Sequence, residues 1–331
     1  MSSHPVFCRL LLFGRRAAEA SCPRPRSGGI MPTLTAPTSL RAPTLADVVY
    51  TDHDGIAQHL DVYPADSPWA PLYDGAVFVH LHGGGWRAGD KQRLSVASRL
   101  ASQGLTTISA NYTLTPEKPY PRNLDDVFDL VAYVHAQQDA LGIRAEHIVL
   151  GGASAGGHLS ALAATKGTAQ ARLAVPLGGV VSWFAPLSPE SRYLTHRYPT
   201  EQYPGGFWDR GLAPGEYGND PFRPFIGTDD FASITLREAW DADPRFHLDQ
   251  LDARDLPPFL LLSGTRDSVE IQSSQRQLFD ALSWVGADVQ LLTLERADHE
   301  SPRYLSSAAQ GAVLGFVRGI LETAHPQKEN L

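Results

Sequence analysis

From Val48 onward, short runs of apolar residues alternate with stretches whose apolar positions recur every three or four residues. The runs that read as strands are "DVVYT", "HLDVYPA", "AVFVHLH", "TTISANY", "HIVLGG", "GGVVSWF", "PFLLLSG" and "DVQLLTL". Several are apolar without interruption, the pattern of a strand covered on both faces. The first two are more polar and close together, which predicts an antiparallel pair at a sheet edge. Helical spacing appears over Lys91 to Gln103, with Leu94, Ala97 and Leu100 on one face. It appears again over Asn123 to Gln138, Ile271 to Trp284 and Ala308 to Leu321. Strands alternating with helices predict a mostly parallel, eight-stranded sheet with helices on both faces.

One segment breaks the alternation. Between "VVSWFAP" and "LPPFLLLSG" lie Tyr193, Tyr198, Tyr203, Phe207, Trp208, Tyr217, Phe222, Phe225, Phe231 and Trp240. Disordered chain is poor in aromatic rings, and long ordered connections tend to carry function. The segment is therefore expected to form a folded cap over residues 187–245; the alternative is a surface excursion packing its rings on the body.

Inside this pattern, "GGASAGGHLS" follows the strand "HIVL" and opens a helical run. A G-x-S-x-G match alone is a weak signal. Its position between strand and helix is what a nucleophile elbow requires, because the turn holds a serine at strained backbone angles with neighbours crowding close. Ser154 is the candidate nucleophile. A serine hydroxyl needs a base and an acid to orient that base. In open parallel sheets such groups sit at the carboxyl ends of strands, where "LLLSGTRDSV" offers Asp267 and "LLTLERADHES" offers His299.

Rival groups fit less well. His158 lies one helical turn beyond Ser154 and is expected to pack. Asp298 is poorly placed to receive a proton from its neighbour His299, and Asp125 and Asp126 open a helix, where acids are ordinary. The glycine loop "HLHGGGWRAGDK" can offer backbone N–H groups to an oxyanion, and the amide of Ala155 would complete the hole. His82 is expected to anchor that loop. A metal reading of His80 and His82 lacks a third ligand, so neither a metal nor any other cofactor is expected. Trp86 and Trp183 are candidate walls of the substrate pocket, with packing as the alternative for each; Phe184 shares that ambiguity.

"HGGGW", "GASAGGHL", "GTRDSV" and "ADHES", in this order, resemble the esterase/lipase group of α/β hydrolases. "HLDVYPA" before "HGGGWRAGDK" is similar to feruloyl-esterase-like enzymes and arylformamidases, and "NYTLTPEKPYPRNLDDV" resembles a stretch of hormone-sensitive-lipase-like enzymes. Ala153 departs from the aspartate those enzymes usually carry before the nucleophile. The resemblance implies an α/β-hydrolase domain over residues 43–325, with Ser154 as nucleophile, His299 as base and Asp267 as orienter. It also implies that Gly84 and Gly85 join Ala155 in the oxyanion hole. The implied function is hydrolysis of small to medium acyl or aromatic carboxylic esters through an acyl-enzyme. The alternatives are formamide cleavage of the arylformamidase type and a ligand-binding protein that has lost catalysis.

Composition narrows the partners. Among 331 residues the formal net charge is −8, the body has no basic block, and no run approaches a membrane span. A small-molecule ester or amide is expected, not nucleic acid or membrane; the oligomeric state stays open, a homodimer included. Both cysteines, Cys8 and Cys22, precede the folded body, which excludes a disulfide framework there and suits the cytoplasm. Residues 1–42 read as a disordered or non-native extension, with Met31 as an alternative start. Arg9, Arg15, Arg16, Arg24 and Arg26 against the single acid Glu19 also suit an organellar transit peptide.

Overall fold

The computed structural model describes residues 42–92, 96–115, 117–197, 220–228 and 233–324. The expectations for residues 1–41 lie outside these, as do Tyr198, Tyr203, Phe207, Trp208, Tyr217 and Phe231 of the aromatic segment.

All of the strand-like runs form strands: β1 (Leu45–His53), β2 (Ile56–Tyr63), β3 (Ala76–Leu81), β4 (Thr107–Ala110), β5 (His147–Ala153), β6 (Gly179–Trp183), β7 (Phe259–Gly264) and β8 (Val289–Leu294). They pair in the order β1-β2-β4-β3-β5-β6-β7-β8. β1 and β2 form the antiparallel edge hairpin, β2 is antiparallel to β4, and every later pairing is parallel.

The period of two along each strand divides the core. Val79, Leu81, Leu150, Val180 and Leu261 face one side. There they meet α2 (Arg122–Ala136), α4 (Ala155–Ala169) and α8 (Val269–Trp284) through Leu124, Val131, Leu159, Leu162, Leu278 and Leu282. Phe78, Val149, Val181, Leu260 and Leu262 face the other side, under α1 (Val96–Ser102) and α9 (Ser307–Ala324). Strands buried on both faces need the continuous apolar runs seen in the sequence.

Two helices differ from their periodicity. The stretch starting at Lys91 does not open as a helix. The Lys91 N–H donates to Asn111 Oδ1 at 2.6 Å, its carbonyl accepts from Ser109 Oγ at 2.6 Å, and its Nζ donates to Asp47 Oδ1 at 2.6 Å. These long-range bonds hold a turn where local spacing favours a helix. The 123–138 pattern ends α2 at Ala136 and continues as a short α3 (Gln138–Leu141), stopped by Gly142 at φ 64°.

In the excursion between β6 and β7 lie α5 (Pro189–Arg197), α6 (Phe222–Ile226) and α7 (Leu236–Asp241). α7 starts on a capping box made by Thr235 and Glu238. Phe222 and Phe225 are fully buried, whereas Trp240 is exposed. Asp241, at the end of α7, is held by Lys166 Nζ of α4 at 2.6 Å and by the Tyr120 hydroxyl at 2.8 Å.

Candidate active site

Strand order explains why distant stretches meet. β3, β5, β6, β7 and β8 are successive neighbours, and the pairs Leu81–Gly152, Ala153–Trp183 and Gly264–Leu294 set their carboxyl ends level. The glycine loop, Ser154, Asp267 and His299 all follow those ends, at the crevice where open α/β sheets bind ligands.

Ser154 occupies the turn between β5 and α4 at φ 52°, ψ −116°. Its amide donates to the Trp183 carbonyl at 2.8 Å, and its carbonyl accepts from His158 N–H at 3.0 Å. The turn demands glycine beside it, since a Cβ on Gly156 would lie 2.3 Å from the Leu81 carbonyl oxygen. The helix start can approach β3 only because that atom is missing.

Asp267 and His299 come from loops tied to each other. The Arg266 amide donates to the Ala297 carbonyl at 2.8 Å, and the Arg296 amide donates to Thr265 Oγ1 at 2.8 Å. Across them, His299 Nδ1 lies 3.0 Å from Asp267 Oδ2, and His299 Nε2 lies 3.1 Å from Ser154 Oγ. A carboxylate only accepts, so Nδ1 carries the proton and Nε2 is left to accept from the serine. The Ser268 amide donates to Asp267 Oδ1 at 2.7 Å and fixes the carboxylate plane. Phe184 closes the rear of His299, with ring centroids 4.8 Å apart, and packs in turn on Tyr304 at 4.5 Å.

The glycine loop is bent by Gly84 at φ 125° and Gly85 at φ 60°. The Gly84 carbonyl accepts from the amides of Arg87 and Ala88, at 3.3 and 3.1 Å. His82 anchors the loop as expected: its Nδ1 is 2.7 Å from the Gly83 carbonyl, and its ring stacks on Tyr112 at 4.4 Å. Burial pushes the His80 imidazole down to about 3, so it stays neutral; its ring meets Trp183 edge-on. Gly85, Trp86, Ser154, Ala155, Pro186, Pro221, Ser268, Glu270, Ile271 and His299 line one cleft.

Of the two tryptophans expected in the pocket wall, the structure brings only Trp86 to the cleft. Trp86 is also buried, stacked on Phe225 at 4.4 Å, with its Nε1–H directed at His158 Nδ1 3.3 Å away. Trp183 points elsewhere. Strand alternation sends it to the face of Val181 and Leu262, where it packs on Phe78 and borders a separate cavity with Val96, Leu100 and Val313. Its expected place in the substrate pocket is therefore corrected to a core position; only its carbonyl serves the serine turn. His158 packs, as expected from its helix position.

A family profile described as the alpha/beta hydrolase fold matches residues 78–302. The chain is an α/β hydrolase. The resemblance of its motifs to the esterase/lipase group is borne out by its relatives. Esterase LipC of Mycobacterium tuberculosis is 31% identical over 255 residues, covering 74% of this α/β hydrolase and 57% of LipC. An ethyl acetate hydrolase of Pseudomonas putida is 32% identical over 136 residues, covering 40% of this chain and 42% of that one. The chain thus spans little more than half the length of LipC and less than half of the second relative. Among solved structures, an esterase of Thermogutta terrifontis superposes with a TM-score of 0.57 at 20% identity, covering 86% of this chain and 94% of its own. That likeness shows the fold.

Sequence reasoning overlooked Pro186, Pro221, Ser268, Glu270 and Ile271 of the cleft. For Ser268, Glu270 and Ile271 a signal existed, because the first turn of a helix that follows a site loop borders the crevice. Pro221 carries no such mark.

Proposed function

We propose that this α/β hydrolase cleaves carboxylic esters of small molecules through an acyl-enzyme on Ser154. The observation that supports this most directly is the 3.1 Å approach of His299 Nε2 to Ser154 Oγ with Asp267 behind the imidazole. In this reading His299 takes the hydroxyl proton as Ser154 attacks the acyl carbonyl, and Asp267 stabilises the imidazolium that forms. His299 then returns the proton to the leaving alkoxide. Water, deprotonated by the same imidazole, attacks the acyl-enzyme and releases the acid.

Gly84, Gly85 and Ala155 donate backbone N–H groups to the tetrahedral oxyanion, each donor contributing roughly 10²–10³ in rate. The excursion over residues 187–245 acts as the cap of the domain spanning residues 43–325. The apolar cleft walls at Trp86, Pro186, Pro221 and Ile271 suit a short acyl or small alcohol group. The similarity to esterase LipC and to the ethyl acetate hydrolase supports ester chemistry. Cytoplasmic residence belongs to the same proposal, and the cysteine content is compatible with a reducing compartment.

The test is hydrolysis of p-nitrophenyl acetate and butyrate by the wild type and Ser154→Ala. The wild type is expected to turn over both esters, with the variant reduced to background. Near-full activity in Ser154→Ala, or none in the wild type, overturns the reading.

A further inference from the structure

Trp86 follows the two bent glycines and itself adopts φ 59°, a left-handed conformation that a bulky residue holds only when its surroundings enforce it. Its surroundings are on α4 and in the excursion. The indole N–H donates to His158 Nδ1 at 3.3 Å, and the two rings meet edge-on at 86°. His158 Nε2 in turn lies 2.8 Å from the Ala242 carbonyl, just past α7. That carbonyl only accepts, so the His158 proton sits on Nε2 and Nδ1 is free to receive the indole. Burial holds the imidazole neutral, its pKa lowered to about 4 although the bond to Ala242 opposes the shift. Lys166, two turns further along α4, grips the adjoining Asp241.

We propose that His158 is a positioning residue: by bridging Trp86 to Ala242 it couples the excursion to the glycine loop and holds that loop's amides aimed at the oxyanion. The imidazole does not reach the reacting atoms; it acts through Trp86. An excursion seated on α4 presents the Ala242 carbonyl, sets the His158 tautomer, and so offers Trp86 an acceptor. The inference rests on the ester-hydrolase reading for its kinetic consequence, and on geometry alone for its structural one.

The test uses the full chain with His158→Leu, which fills the space without hydrogen bonding, and His158→Gln, which can accept from Trp86 and donate to Ala242. Misaligned oxyanion donors cost transition-state stabilisation, so kcat for p-nitrophenyl butyrate is expected to fall about 10–100-fold in His158→Leu, with KM changed less than about threefold. His158→Gln is expected to recover most of the loss. Backbone hydrogen exchange of a peptide spanning residues 83–89 is expected to accelerate in His158→Leu and to remain slow in His158→Gln. Should the leucine variant fail to fold, Trp86→Phe breaks the same bond from the other side and carries both measurements.

Unchanged kcat together with unchanged exchange in a folded His158→Leu overturns the coupling, as does a loss confined to KM. A wild type that cleaves no ester sinks the functional reading instead. The exchange measurement still decides the coupling in that case: accelerated exchange upholds it and unchanged exchange overturns it.

Discussion

The amide of Arg266 donates to the carbonyl of Ala297 at 2.8 Å, joining the loop after β7 to the loop after β8. Asp267 and His299 each lie within two residues of that bond. The carboxylate and the imidazole therefore meet by backbone construction, before either side chain is considered.

If the carboxylate fixes the His299 tautomer, Asp267→Asn should remove that control while keeping shape. Asparagine can still accept from the Ser268 amide, but its NH₂ group favours the tautomer with the proton on the wrong nitrogen. The expected loss in kcat is about 10³–10⁴, with the unfolding midpoint close to the wild type. Steady-state kinetics beside thermal unfolding checks this; a loss below tenfold would remove Asp267 from the orienting role.

Gly156 is where the serine turn tolerates least. Gly156→Ala would place a methyl group 2.3 Å from the Leu81 carbonyl oxygen and 2.6 Å from that of His82. Neither neighbour is a flexible side chain, so α4 must withdraw from β3. Destabilisation of about 2–3 kcal/mol or more is expected by denaturant unfolding. Gly315→Ala on α9, where a Cβ meets nothing within 4 Å, is the control and is expected to be neutral or mildly stabilising.

His80 and His158 make stability depend on pH. Both are buried, and burial lowers them to about 3 and about 4 from an ordinary 6.5. The unfolded chain thus binds protons that the folded chain refuses. Stability is complete above about pH 6.5 and falls as pH drops towards 4, by roughly 1 kcal/mol per unit for each histidine. Urea midpoints between pH 7 and 4.5 test this: the slope is expected to be shallower in His158→Gln than in the wild type.

The sheet was readable in the sequence because burial on both faces leaves a local mark: short uninterrupted runs such as "AVFVHL" and "FLLLSG", too short for a core helix and alternating with helical spacing. Ser154, Asp267 and His299 were readable for a related reason, as each lies just past a strand-like run. Lys91 shows where local spacing fails, since Asn111, Ser109 and Asp47 override it from elsewhere in the chain. Trp183 shows a signal left unused, because counting by twos from Val181 puts it on the α1/α9 face. The partners of Trp86 carry no local signature. They lie 72 residues away at His158 and further still at Phe225.

The excursion leaves from β6 and returns at β7, and those strands are already paired side by side. Its length is thereby uncoupled from the register of the sheet. Lengthening or shortening it leaves the β6–β7 pairing, and the strand ends that carry the Ser154 and Asp267 loops, in place.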